Sequence, residues 1–185
     1  AALSSHSVEE PMSVACRVLV ASSLLALSAS TAFAQPVTQY VLMSFDGAHD
    51  NAQWDRSRAL AARTGAKFTY FLSCVYLLSP ETKSIYDAPH HPAGRSNVGF
   101  ASSREDVAAR LGEIWLAHKE GHEVASHGCG HFDGSAWSKA DWLVEFDAFS
   151  SIVRDAWTLN GIEGEPAGWR DFAARTSLGF RAPYL

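Results

Sequence analysis

The sequence predicts an α/β fold built on a parallel sheet. Strand-length apolar runs alternate with segments of helical period from Gln39 onward, and that alternation is the pattern of crossover-connected parallel strands. Turn signals such as Asp46-Gly47 and Gly121 separate the segments. The polar residues of most chemical interest fall just past expected strand ends: Asp46 after the first, His127 and His131 after the third, Arg181 after the fourth. In a parallel barrel or a doubly wound sheet these ends point the same way, so the residues are expected to converge.

Gln39 to Phe45, QYVLMSF, is a nearly continuous apolar run and is expected to be the first strand. From Gln53 to Arg63, Trp54, Ser57, Leu60 and Ala61 recur at helical spacing, and Gly65 supplies a stop. Lys67 to Ser73, aromatic and β-branched, is the second strand. The stretch from about Leu78 to Phe100 is rich in Pro, Gly, Ser and His and is expected to be a long loop over one face. A helix is expected from about Ser103 to Glu120, capped by Ser102 or Ser103, with Glu105 and Asp106 in its first turn. His122 to Ser126 is the third strand. Ser138 or Lys139 opens a helix reaching about Leu159, whose stripe of Trp142, Phe146, Phe149, Ile152 and Val153 is expected to be core. Gly168 to Arg175 reads as a short helix and Leu178 to Arg181 as the last strand.

The N-terminal 34 residues are expected to lie outside the fold. Arg17 precedes an apolar stretch from Val18 to Leu27, and Ala32-Phe33-Ala34 stands before Gln35, which together form a secretory signal peptide. The apolar stretch is too short to span a membrane. The expected mature chain, residues 35–185, is exported to the periplasm or the medium. It keeps two cysteines, Cys74 and Cys129; export permits a disulfide between them, the alternative being two buried thiols. The residues after 34 are about one domain in size. The net charge of −5 and the lack of a Lys/Arg cluster argue against a nucleic-acid partner.

The stretch ASHGCGH, Ala125 to His131, places two histidines four residues apart around two glycines. Gly128 and Gly130 disfavour a helix by about 1 kcal/mol each, so a loop just past a strand end is expected. Two neutral imidazoles on such a loop can converge on one divalent ion, and a tetrahedral site then needs another protein ligand and a water.

Three stretches resemble the first motifs of the polysaccharide deacetylases, in the same order and similarly spaced: SFDG at Ser44 to Gly47, SHGCGH at Ser126 to His131, and FRAPYL at Phe180 to Leu185. The resemblance covers nearly everything after the signal peptide. It implies a distorted parallel (β/α) barrel of the polysaccharide deacetylase type, incomplete at the C-terminus. It also implies a metal-dependent hydrolase that removes N- or O-acetyl groups from an acetylated glycan substrate. By the resemblance Asp46 is the catalytic base, His127 and His131 are metal ligands, Arg181 orients the base, and the Tyr184 backbone N–H helps hold the oxyanion. The implied cofactor is a divalent metal, zinc in the first instance. The family's general acid would lie beyond Leu185, so low activity is expected of the 185 residues as they stand.

Two positions depart from the family's pattern. Gly47 stands where the family has a metal-binding second Asp, so the third ligand is expected to be Asp50, with Asp46 itself or His49 as rivals. Gly128 replaces the usual Ser or Thr after the first histidine. Other readings of the same residues are a non-catalytic glycan-binding relative, with Trp137, Trp142 or Trp169 as sugar platforms, and a metal-independent hydrolase of a small amide.

Overall fold

The computed structural model describes residues 38–184; the expected signal peptide and Leu185 lie outside the described residues. Within 41–184 the fold is mixed α/β around a parallel three-stranded sheet in the order β1 (Ser44–Gly47), β2 (Thr69–Leu72), β3 (Glu123–Ser126). The register pairs Ser44 with Thr69 and Thr69 with Glu123, so β1, β2 and β3 end level with one another. Four helices complete the architecture: α1 (Asn51–Thr64), α2 (Arg104–Lys119), α3 (Lys139–Leu159) and α4 (Trp169–Thr176).

The first strand is shorter than the sequence predicts. Val41 and Leu42 are exposed and outside the sheet, because β2 begins opposite Ser44 and an apolar run without a paired backbone is not a strand. The last expected strand is reduced to one parallel bridge, Ser126 to Phe180. That bridge is nevertheless well made, with Ser126 donating to Gly179 O and Arg181 donating to Ser126 O, both at 2.9 Å. The neighbour order therefore runs β1, β2, β3, Phe180 in chain sequence.

Caps explain the helix boundaries. Asp50 accepts from the Ala52 amide at the start of α1, and Gly65 ends it with φ of 72°, a conformation glycine adopts without the clash of a Cβ. Ser103 caps α2, and Ser138 with Asp141 forms a reciprocal capping box on α3. Each such cap stabilises its helix by about 1 kcal/mol.

The core lies between the sheet and the helices. Trp54 stacks on Tyr70 at 3.9 Å and donates its indole N–H to Ala48 O. Val107, Leu111 and Ile114 of α2 and Phe149, Ile152 and Val153 of α3 are buried. Trp142 and Phe146, at the start of the α3 stripe, are only partly buried; Trp142 borders the cleft described below. Trp169 is fully buried and donates to Val153 O, so it cannot serve as a sugar platform. The long loop is more structured than its composition predicts. A short 3-10 turn, Lys83–Ile85, forms within it, Tyr86 and Ala88 enter the core, and the segment leading into it, Cys74–Leu77, is a fully buried 3-10 turn. Among the described residues no helix is long and apolar enough to cross a membrane.

Candidate functional site

Level strand ends in a parallel sheet put the residues that follow them on one rim, and five of the expected residues meet there. Asp46, the third residue of β1, receives a hydrogen bond from Arg181 Nη1 at 2.6 Å. The two residues are 135 positions apart in sequence, and the Phe180 bridge beside β3 brings them together. Arg181 is held at three further points: its amide donates to Ser126 O, its carbonyl accepts from His127, and its guanidinium lies 4.0 Å from the centre of the Phe71 ring. A guanidinium over an aromatic face loses little rotamer freedom on pairing, which fixes its direction toward Asp46.

His127 is 2% exposed and its Nδ1 lies 2.9 Å from Arg181 O. A carbonyl can only accept, so Nδ1 carries the proton and the neutral ring has its lone pair on Nε2. Burial pushes the His127 pKa down, against the opposing pull of the Arg181 carbonyl and the Asp46 charge. Neutral imidazole, oriented through its other nitrogen, is the form that ligates metals. The His131 ring sits 5.1 Å from that of His127 and 5.3 Å from the Tyr184 ring. Arg181, His127, His131, Asp46 and Tyr184 thus form one connected cluster.

Asp50 is engaged at the start of α1. One carboxylate oxygen accepts the Ala52 amide at 2.9 Å and the other is 3.7 Å from Arg56, so its visible work is capping α1. His49, the rival ligand, packs its ring 4.5 Å from Tyr76, while its carbonyl accepts from the buried Arg110. Among the described residues no group of three or more His, Cys, Asp and Glu is arranged to hold an ion; the rim offers an imidazole pair with Asp46 close enough to act on His127.

The glycines follow from backbone geometry. Gly47 has φ of 78°, so an Asp at that position would carry a left-handed strain of about 1–2 kcal/mol. Gly128 has φ of 72°, and a Cβ there would lie 3.1 Å from Glu145 Oε1. A Cβ on Gly130 would fall 2.5 Å from Phe132 and 2.6 Å from the Tyr86 hydroxyl. Cys74 and Cys129 are bonded as a disulfide, their Cα atoms 4.4 Å apart, so the loop after β3 is tied to the end of β2. Asn97 of the long loop closes over it, its amide donating to Gly130 O and its side chain to His131 O.

Beside His131 opens a cleft of about 290 Å³ lined by Phe132, Asp133, Ser135, Trp142, Pro183 and Tyr184. No family model, curated protein or solved structure matches the chain.

Two residues that hold the site were not anticipated. Glu145 and Tyr86 lie buried against the double-histidine loop. The available signal for Glu145 was its place on the apolar face of α3, three residues after Trp142 and four before Phe149, where an unpaired carboxylate is out of character.

Proposed function

We propose that this chain is an exported, metal-dependent hydrolase that removes N- or O-acetyl groups from a carbohydrate polymer or oligomer. Its sheet would be the first arc of a distorted parallel (β/α) barrel of the polysaccharide deacetylase type. The strand order, advancing in one direction without reversal, supports a barrel arc over a doubly wound sheet. The observation that carries the reading is Arg181, which joins a carboxylate from the first strand end to an imidazole from the third.

The donor set fits a divalent ion in part. His127 and His131 would hold it, and Asp46 or Asp50 would supply the remaining carboxylate. Such an ion, once bound, polarises an acyl carbonyl and acidifies a water. Asp46, half exposed at the rim, would take up the proton of the attacking water. Arg181 keeps the Asp46 carboxylate pointed at the cluster and its own carbonyl keeps the His127 ring turned. The cleft walled by Phe132 and Trp142 receives the sugar, whose apolar ring face suits aromatic walls and whose hydroxyls suit Asp133 and Ser135. The same aromatic-walled cleft supports a second reading, glycan binding without turnover.

The test is metal content of the exported full-length protein together with acetate release from N-acetylated and O-acetylated glycan oligomers. Near one equivalent of a divalent metal, lost in His127→Ala with His131→Ala, and acetate release that falls with it, is the expected result. Oligomer binding without acetate release transfers the assignment to the glycan-binding reading; neither binding nor release refutes both.

A further inference from the structure

We propose that Glu145 is a positioning residue: its carboxylate, reaching in from α3, fixes the backbone between His127 and His131. The functional meaning of this rests on the hydrolase reading above.

Glu145 is 2% exposed. Its Oε1 accepts the Cys129 amide at 2.6 Å and lies 3.4 Å from the Gly130 amide. Its Oε2 accepts the Tyr86 hydroxyl at 2.7 Å, and the Tyr86 oxygen in turn accepts the Gly130 amide at 3.0 Å. These donors are all neutral. A carboxylate taken out of water among neutral donors costs more than an apolar side chain of the same shape would, even when hydrogen-bonded. Core energy therefore does not explain an acid at this helical position, whereas loop geometry does.

The loop needs an external hold. Gly128 and His131 both have positive φ, 72° and 55°, and for histidine that conformation is strained. The strain persists only where surrounding groups over-determine the backbone. Cys129 sits midway between the two histidines and is gripped twice, through its sulfur by Cys74 and through its amide by Glu145. A Cβ on Gly128 would lie 3.1 Å from Glu145 Oε1, so a side chain there would press on the carboxylate that grips the loop. Displacing this grip moves both imidazoles relative to each other, while the Arg181 carbonyl holds only one of them.

The experiment uses the oxidised full-length protein and compares wild type with Glu145→Gln, Glu145→Ala and His127→Ala. Zn²⁺ affinity is measured by calorimetry, amide exchange at Cys129 and Gly130 by NMR, and the melting curve on each sample. Glu145→Ala is expected to weaken Zn²⁺ binding by about 10–100-fold, the range for lost outer-shell support, with faster exchange at Cys129 and Gly130 but not in β2. Glu145→Gln recovers part of the affinity, because its amide oxygen can still accept from Cys129. Zn²⁺ affinity within twofold of wild type in a folded Glu145→Ala protein overturns the proposal; if that variant does not fold, the same criterion applies to Glu145→Gln. Should wild type bind Zn²⁺ no better than His127→Ala, the hydrolase reading falls. Positioning is then decided by the His127 imidazole ¹⁵N signals: displaced in Glu145→Gln supports it, unchanged overturns it.

Discussion

Removing the Cys74–Cys129 disulfide is the perturbation whose size follows most directly from the structure. The bond closes a loop spanning 55 positions. In the chain-entropy account, a cross-link over that many residues denies the unfolded chain about 4 kcal/mol of conformational freedom at 25 °C. Both cysteines are fully buried, so replacing them by Ala also loses a little packing, while relief of any native strain acts the other way. The expected net loss for Cys74→Ala with Cys129→Ala is about 2–4 kcal/mol, or about 10 °C in melting temperature for a domain of this size. The assay is urea unfolding of oxidised wild type, reduced wild type and the double variant, each fitted for ΔG and slope. An unfolded state freed of its cross-link exposes more surface, so the slope should rise as ΔG falls. A loss below about 0.5 kcal/mol with an unchanged slope, or two free thiols in the non-reduced unfolded protein, would refute the reasoning.

Asp46→Asn is expected to lower acetate release by about two to four powers of ten, with the His127 ring still bonded to Arg181 O by NMR; unchanged turnover removes the base assignment. Burial holds the His122 and His127 imidazoles, and burial with the nearby Arg175 and Lys119 charges holds His118, below the ordinary value of 6.5. The unfolded chain therefore binds protons first: the stability these rings contribute is complete above 6.5 and is lost as the pH falls toward their folded values. Unfolding free energy should accordingly drop between about pH 7.5 and pH 5.5, and His122→Asn, whose amide oxygen can replace Nδ1 as acceptor for Phe68 N–H, should flatten the drop. A flat profile in wild type contradicts this. Gly128→Ala should cost about 1–2 kcal/mol from its positive φ, read as a lower urea midpoint, whereas Gly112→Ala, on α2 where a Cβ meets nothing within 4 Å, should be neutral or stabilising by up to about 1 kcal/mol.

Helices α1 to α4 were legible because amphipathic spacing and capping are local. Trp54, Ser57 and Ala61 mark the buried face of α1 as the spacing predicts, whereas Leu60, placed with them by the same spacing, is exposed; Ser103 and Ser138 cap where a serine precedes a charged first turn. Strand ends were legible for the same reason, since Asp46-Gly47 and His127-Gly128 break the apolar runs. Strand beginnings were not, because pairing decides them: nothing in the composition of Gln39 to Met43 says that β2 starts opposite Ser44.

The sequence by itself determined the parallel α/β class, the identity of the rim residues and their order, because periodicity and turn chemistry act over a few neighbours. Only the tertiary structure decided that Arg181 grips both Asp46 and His127, that Asp50 caps a helix, that Cys74 reaches Cys129, and that Glu145 holds the loop between the histidines. Apart from the Asp50 cap, these are contacts between residues 16 to 135 positions apart, and their partners are selected by strand register and by which face of α3 packs inward. Burial then gives them their chemistry, since the same Glu145 carboxylate on the outer face of that helix would be one more solvated charge.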